Sequence, residues 1–137
     1  MALHKLIYIS RPVVGSNADW DEILAASDRN NARLDITGML LFDGEHYLQL
    51  LEGERRDVSD LFLTIAEDKR HTHVEIITSA PSEFRLFGGW SMQPFSASGL
   101  HALLGRQEIS RISLRDMAVA EIERICVDFS GLKAAMG

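Results

Sequence analysis

Gln49 stands in the run HYLQLLEG as an amide among large apolar residues. A buried amide has two donors and two acceptor sites to satisfy, so its neighbours must supply partners. Tyr8, in LHKLIYIS, makes the same demand with one hydroxyl. Asn30 and Asn31 close the stretch NADWDEILAASDRNN, in which Ser27 and Asn31 continue in polar form a stripe begun by Trp20, Ile23 and Leu24. Side chains of these types form hydrogen-bonding edges. They suit the polar rim of a ligand, and equally a core that satisfies them with backbone and water. Asn near a helix end also has a plain conformational reason, because it tolerates helix-ending geometry.

Other chemistries find less support. His71-Thr72-His73 offers two imidazoles without cysteines or clustered carboxylates, so no metal is expected there. Cys126 is the only cysteine, which rules out an internal disulfide and suits a reducing compartment. A phosphate-handling hydrolase of the acylphosphatase kind needs a Gly-rich loop near a suitably placed Arg, and none is present.

The elements that must position these groups follow from periodicity. Residues 3 to 10 alternate as a strand buried on both faces and end at Arg11-Pro12. Asn17 or Asp19 caps a helix reaching about Asn31. From Ile36 to Gly53 two strands flank Asp43-Gly44, a hairpin signal because Gly accepts positive φ. A tight turn there pairs Phe42 with Glu45, Leu40 with Tyr47 and Gly38 with Gln49. That register leaves a space beside the Gln49 amide, where a ligand can approach.

A second helix spans Glu54 to Lys69, with Val58, Leu61, Phe62 and Ile65 at helical spacing. Strands follow over 73–80 and 89–94. In the tail, a short helix is expected over 98–104. Ser113, with Asp116 at the capping-box position, starts a longer one. Ala118, Ile122, Ile125, Phe129 and Leu132 form an apolar seam along it, which covers either the sheet's open face or a second subunit. The order β-α-β-β-α-β-β defines an α+β, ferredoxin-like sheet, with two helices on one face and the C-terminal helices on the other.

A chain of 137 residues suffices for one substantial core. Its formal charge of −6, with basic clusters interrupted by acids, argues against nucleic acid or an anionic membrane surface as partner. The apolar run Met39 to Phe42 is too short to span a bilayer, and the first residues do not read as a signal peptide. A cytoplasmic protein is expected.

Taken together, LIYIS, SDRNNARLDITGML, HYLQLLEG, EDKRH and FGGWSM resemble the BLUF family, sensors of blue light using FAD. The resemblance covers about residues 3 to 95, in order, and implies a photosensor domain over 1–96 with a C-terminal helical extension over 97–137. It departs at Asp35, where the family often has Gly, at Lys69, where Pro often precedes Arg-His, and at Phe84 before Arg85, where Glu is usual.

The resemblance implies a non-covalent flavin, FAD with FMN or riboflavin as alternatives, slotted between the two helices. Ile23, Ser27, Phe62 and Ile65 would wall it. Asn31 would hold its N3-H and O4 edge with Asn30 alongside, Asp68 and Arg70 would lie on the O2 side, and His71 would also be a cofactor-binding residue. Gln49 would sit between the flavin and Tyr8, the electron and proton donor, and Trp90 and Met92 would exchange places to carry the signal out. The same likeness implies a non-enzymatic receptor that signals to a separate effector protein and forms a homo-oligomer. A flavin-free interaction module with the same fold is the alternative reading.

Overall fold

The computed structural model describes residues 3–13, 33–42, 45–88, 92–95 and 114–136. Within them lie strands β1 (Leu3–Pro12), β2 (Thr37–Phe42), β3 (Tyr47–Glu54), β4 (His71–Pro81) and β5 (Gln93–Phe95), with helices α1 (Arg55–Ala66) and α2 (Val119–Met136). The strands form one mixed α+β sheet in the order β4-β1-β3-β2-β5. β1 runs antiparallel to both its neighbours, β2 is antiparallel to β3, and β5 is parallel to β2. The expected helix over 17–31, the Asp43-Gly44 tip and the helix over 98–104 fall outside the described residues.

Because side chains alternate across a strand, each strand of the sheet contributes to two cores. On one face Leu6, Tyr8, Ile36, Leu40, Tyr47 and Leu51 pack against Val58 and Leu61 of α1 and against Met92. On the other, Ile7, Ile9, Met39, Leu41, Leu48 and Leu50 pack against Phe87 and against Ile122, Ile125, Cys126 and Phe129 of α2. Ile122, Ile125 and Phe129 of the expected seam therefore cover the sheet's second face, and the Leu132 side chain lies outside what is described. Ala118 is exposed and stands before the helix, with its backbone N–H donating to Glu121 Oε1 at 3.3 Å. That one-sided cap accompanies a helix start at Val119, later than the expected one after Ser113, which lies outside the described residues.

The hairpin register differs from the expected one by two residues. Phe42 pairs with Tyr47, Leu40 with Gln49 and Gly38 with Leu51. The shift is even, so every residue keeps its face. The role of Gly38 changes, however. A Cβ there would meet the Leu50 carbonyl oxygen at 1.8 Å, so the glycine admits a close strand rather than opening space beside Gln49.

Helix α1 starts one residue later than expected because Glu54 is its cap, accepting from the Arg56 and Asp57 amides at 2.9 and 3.2 Å. It ends at Ala66, which leaves Asp68 and Arg70 in the turn that enters β4. That strand is longer than expected at both ends, and β5 is shorter.

Candidate functional site

β1 and β3 lie side by side with Tyr8 directly opposite Gln49. Both are buried, at 2% and 1% exposure. The Tyr8 hydroxyl donates to Gln49 Oε1, and Gln49 Nε2 donates to Met92 Sδ at 3.6 Å. The sulfur helps fix the orientation of the amide. With the amide turned over, Oε1 would face a sulfur that has no proton to donate. Of the two residues expected to carry the signal, Met92 thus lies against Gln49, just before β5 rather than within it. Trp90 lies outside the described residues.

Burial in this apolar face raises the Tyr8 pKa well above the ordinary phenol value, and the negative charge of Asp68 adds to the shift. Phe62 and His71 frame the Tyr8 ring, each edge-on, at centroid distances of 5.6 and 6.3 Å. The His71 ring nitrogens are both taken up inside the protein. Nε2 lies 2.6 Å from the Ile65 carbonyl, which only accepts, so it carries the proton. In the neutral ring Nδ1 then accepts from Ser10 Oγ at 2.9 Å. His71 thereby ties β4 to the last turn of α1 and to β1, and it meets the site through the Tyr8 ring.

Asp68 is clasped by Arg70, whose Nε and Nη2 reach its carboxylate at 2.5–3.1 Å and whose backbone N–H donates at 2.9 Å. Hydrogen bonds from the Arg70 side chain hold the Asp68 carboxyl below its ordinary pKa, against an opposing desolvation by burial. Phe62 and Ile65 are half-buried and present an apolar wall beside Tyr8. The expected contributors on the first helix, Ile23, Ser27, Asn30 and Asn31, lie outside the described residues.

One buried group escaped the sequence reading. Glu52, 2% exposed, accepts from the Leu86 amide at 2.5 Å, the Phe87 amide at 2.9 Å and Thr37 Oγ1 at 3.1 Å. Its signal was an acid following Leu48 and Leu50 on the face opposite Gln49.

The comparisons fit this geometry. Residues 3–93 match the family described as BLUF, sensors of blue-light using FAD. The chain belongs to the BLUF family. It is similar to the blue light- and temperature-regulated antirepressor BluF of Escherichia coli, with 35% identity over 75 residues, covering 55% of this chain and 19% of the relative. Photoactivated adenylate cyclase subunit beta of Euglena longa is 39% identical over 88 residues, covering 62% of this chain and 10% of that one. The chain thus spans less than a fifth of these curated relatives. The dark-state structure of the BLUF protein BlrB superposes with a TM-score of 0.77 and 36% identity, covering 92% of this chain and 96% of that one.

As a BLUF chain, this protein is of a family that binds flavin. Its residues fit such a group. The bonds to Tyr8 and Met92 use one acceptor site and one donor of an amide that has two of each, so Gln49 keeps capacity for a ligand edge beside an apolar wall.

Proposed function

We propose that this chain is a blue-light sensor in which Tyr8 and Gln49 form the switching pair for a non-covalently bound FAD. The observation that carries the reading is the buried hydrogen bond from Tyr8 to Gln49, between directly opposed residues of β1 and β3. Ile23, Ser27, Phe62 and Ile65 would wall the cofactor, Asn30 and Asn31 would hold its polar edge, and Asp68 and Arg70 would close the far side. A bound flavin supplies blue-light absorption and, once excited, a strong one-electron oxidant.

The protein's part follows from its proton positions. With its pKa raised, Tyr8 keeps its proton in the dark and gives it up only when it has lost an electron. The proton can leave along the hydrogen bond to Gln49 Oε1. When the electron returns to Tyr8, a proton returns to the phenolic oxygen, so the residue is restored. Gln49 is left in a different hydrogen-bonding arrangement. The bond from Nε2 to the Met92 sulfur is the weak one to exchange, which makes Met92, at the entry to β5, the first residue to register the change.

Residues 1–96 would form the sensor and 97–137 an extension carrying the response on the opposite face. The sensor acts without catalytic turnover on a separate effector protein in the cytoplasm, as a homo-oligomer. Among the described residues, no helix is long and apolar enough to cross a membrane.

Purified protein should be yellow, release FAD on denaturation, and show a reversible red shift of its flavin absorption under blue light. A chain that cannot be loaded with FAD, or a loaded chain whose spectrum ignores light, would overturn the reading in favour of a flavin-free interaction module.

A further inference from the structure

We infer that Glu52 is a positioning residue for the switch: it pins the turn over 85–87 to the sheet and so holds the Met92 sulfur against Gln49. The inference rests on the photosensor reading for its light-dependent arm and on geometry alone for its dark arm. Glu52 and Gln49 belong to the same strand, on opposite faces. The Glu52 carboxylate is buried and takes three donors, two of them the successive backbone amides of Leu86 and Phe87. A carboxylate accepting backbone N–H groups makes charge-assisted hydrogen bonds, stronger than neutral ones.

Arg85 adds to the same latch. Its Nη1 donates to the Glu52 carbonyl at 3.1 Å and to Thr37 Oγ1 at 3.0 Å. The turn is therefore fastened to β2 and β3 through side chain and backbone together. Phe87, fully buried, carries the register onward, because its ring lies 6.3 Å from that of Phe95 at the end of β5. Met92 lies between these two fixed points, Phe87 and Phe95. Its contact with Gln49 is thus set from the far side of the sheet. Loosening the latch frees the sulfur to leave Gln49 Nε2, and the dark arrangement of the amide loses a partner.

The dark test uses protein labelled with 13C at the methionine methyl groups, with Met92 assigned from Met92→Leu. Glu52→Gln keeps the shape of the side chain but removes its charge and sets an amide against the two N–H donors. The Met92 methyl resonance should move in Glu52→Gln. Thr37→Val, which removes one donor and keeps the carboxylate, should move it less and serves if Glu52→Gln does not fold. A Met92 resonance unmoved in the folded variants would overturn the inference, whatever the light response.

The light test measures thermal recovery of the red shift in FAD-loaded protein. Recovery should slow roughly two- to tenfold in Glu52→Gln, the size of one lost hydrogen bond expressed as a rate. In a Met92→Leu background the same substitution should add nothing, since the residue acts through Met92. Unchanged recovery, or a full effect persisting without Met92, would mean that Glu52 is only structural. A wild-type protein with no red shift would sink the photosensor reading but leave the dark test standing.

Discussion

The two faces of this sheet are built from the same strands yet do different work. The face under α2 is closed by Phe87, Ile122, Ile125, Cys126 and Phe129, each at most 3% exposed. Its described polar groups are the Glu52 latch, the Lys5–Glu123 ion pair at the margin and the Cys126 thiol, whose pKa burial pushes up to about 12, keeping it protonated and unreactive. The face under α1 buries a phenol and an amide beside half-buried Phe62 and Ile65. Close packing without polar groups gives stability and permits no alternative arrangement. A buried hydrogen-bonded pair contributes less stability but has a second arrangement available. Alternation along each strand lets the chain combine both properties, because substitutions on one face need not touch the other.

That division predicts substitutions that separate folding from response. Phe129→Ala should have the largest effect on stability, a loss of about 3–5 kcal/mol in chemical denaturation. Below its melting temperature it should keep the light-induced red shift. A folded Phe129→Ala protein without the shift would break the separation. Tyr8→Phe should do the converse, abolishing the red shift while costing about 1 kcal/mol, the net value of one hydrogen bond. Gln49→Leu should be equally blind.

Acidity sharpens the same contrast. Tyr8 has its pKa raised in the folded state, so its contribution to stability is complete below the ordinary phenol value of 10.0 and is lost as pH climbs beyond it. The stability difference between wild type and Tyr8→Phe should accordingly stay flat at neutral pH and shrink only in strong alkali. For Asp68 the sign reverses. Its lowered pKa adds stability above the ordinary 3.8, and this is lost as pH falls, which Asp68→Asn should not show.

The smallest effect is expected at Asp35, whose φ of 55° lies in the left-handed region. Asp35→Gly should raise stability by about 0.5 kcal/mol, because Asp tolerates that conformation less well than Gly. Its ion pair with Arg85, at 3.4 Å with the Asp35 side chain 86% exposed, offsets little.

Asp35 also shows what the sequence made readable. As a departure from the family's usual Gly it pointed to loop geometry, and the loop does adopt a glycine-like φ. A mixed sheet with strands buried on both faces followed from strand alternation, and the meeting of Tyr8 with Gln49 from residues quoted for the resemblance. The hairpin register did not, because a slip of two residues leaves the hydrophobic pattern unchanged. Neither did the latch of Glu52, two of whose three donors are backbone amides more than thirty residues away, without side-chain identities to announce them. The helix expected to contribute Asn30 and Asn31 lies outside the described residues, so that edge of the site stands on the family resemblance.

The order β4-β1-β3-β2-β5 has a consequence for what can move. Tyr8 sits in the central region, with β1 laddered on both sides, so displacing it would break two sets of pairings at once. Met92 leads into a rim strand of three residues, joined to the sheet along β2 alone. Opening that rim is a local event at the low end of the protein's range of opening free energies. In hydrogen exchange, the amides of β5 should label long before those of β1. The proposed light-driven donor would thus be bolted to a strand paired on both sides, and the contact proposed to report on it would hang from the rim.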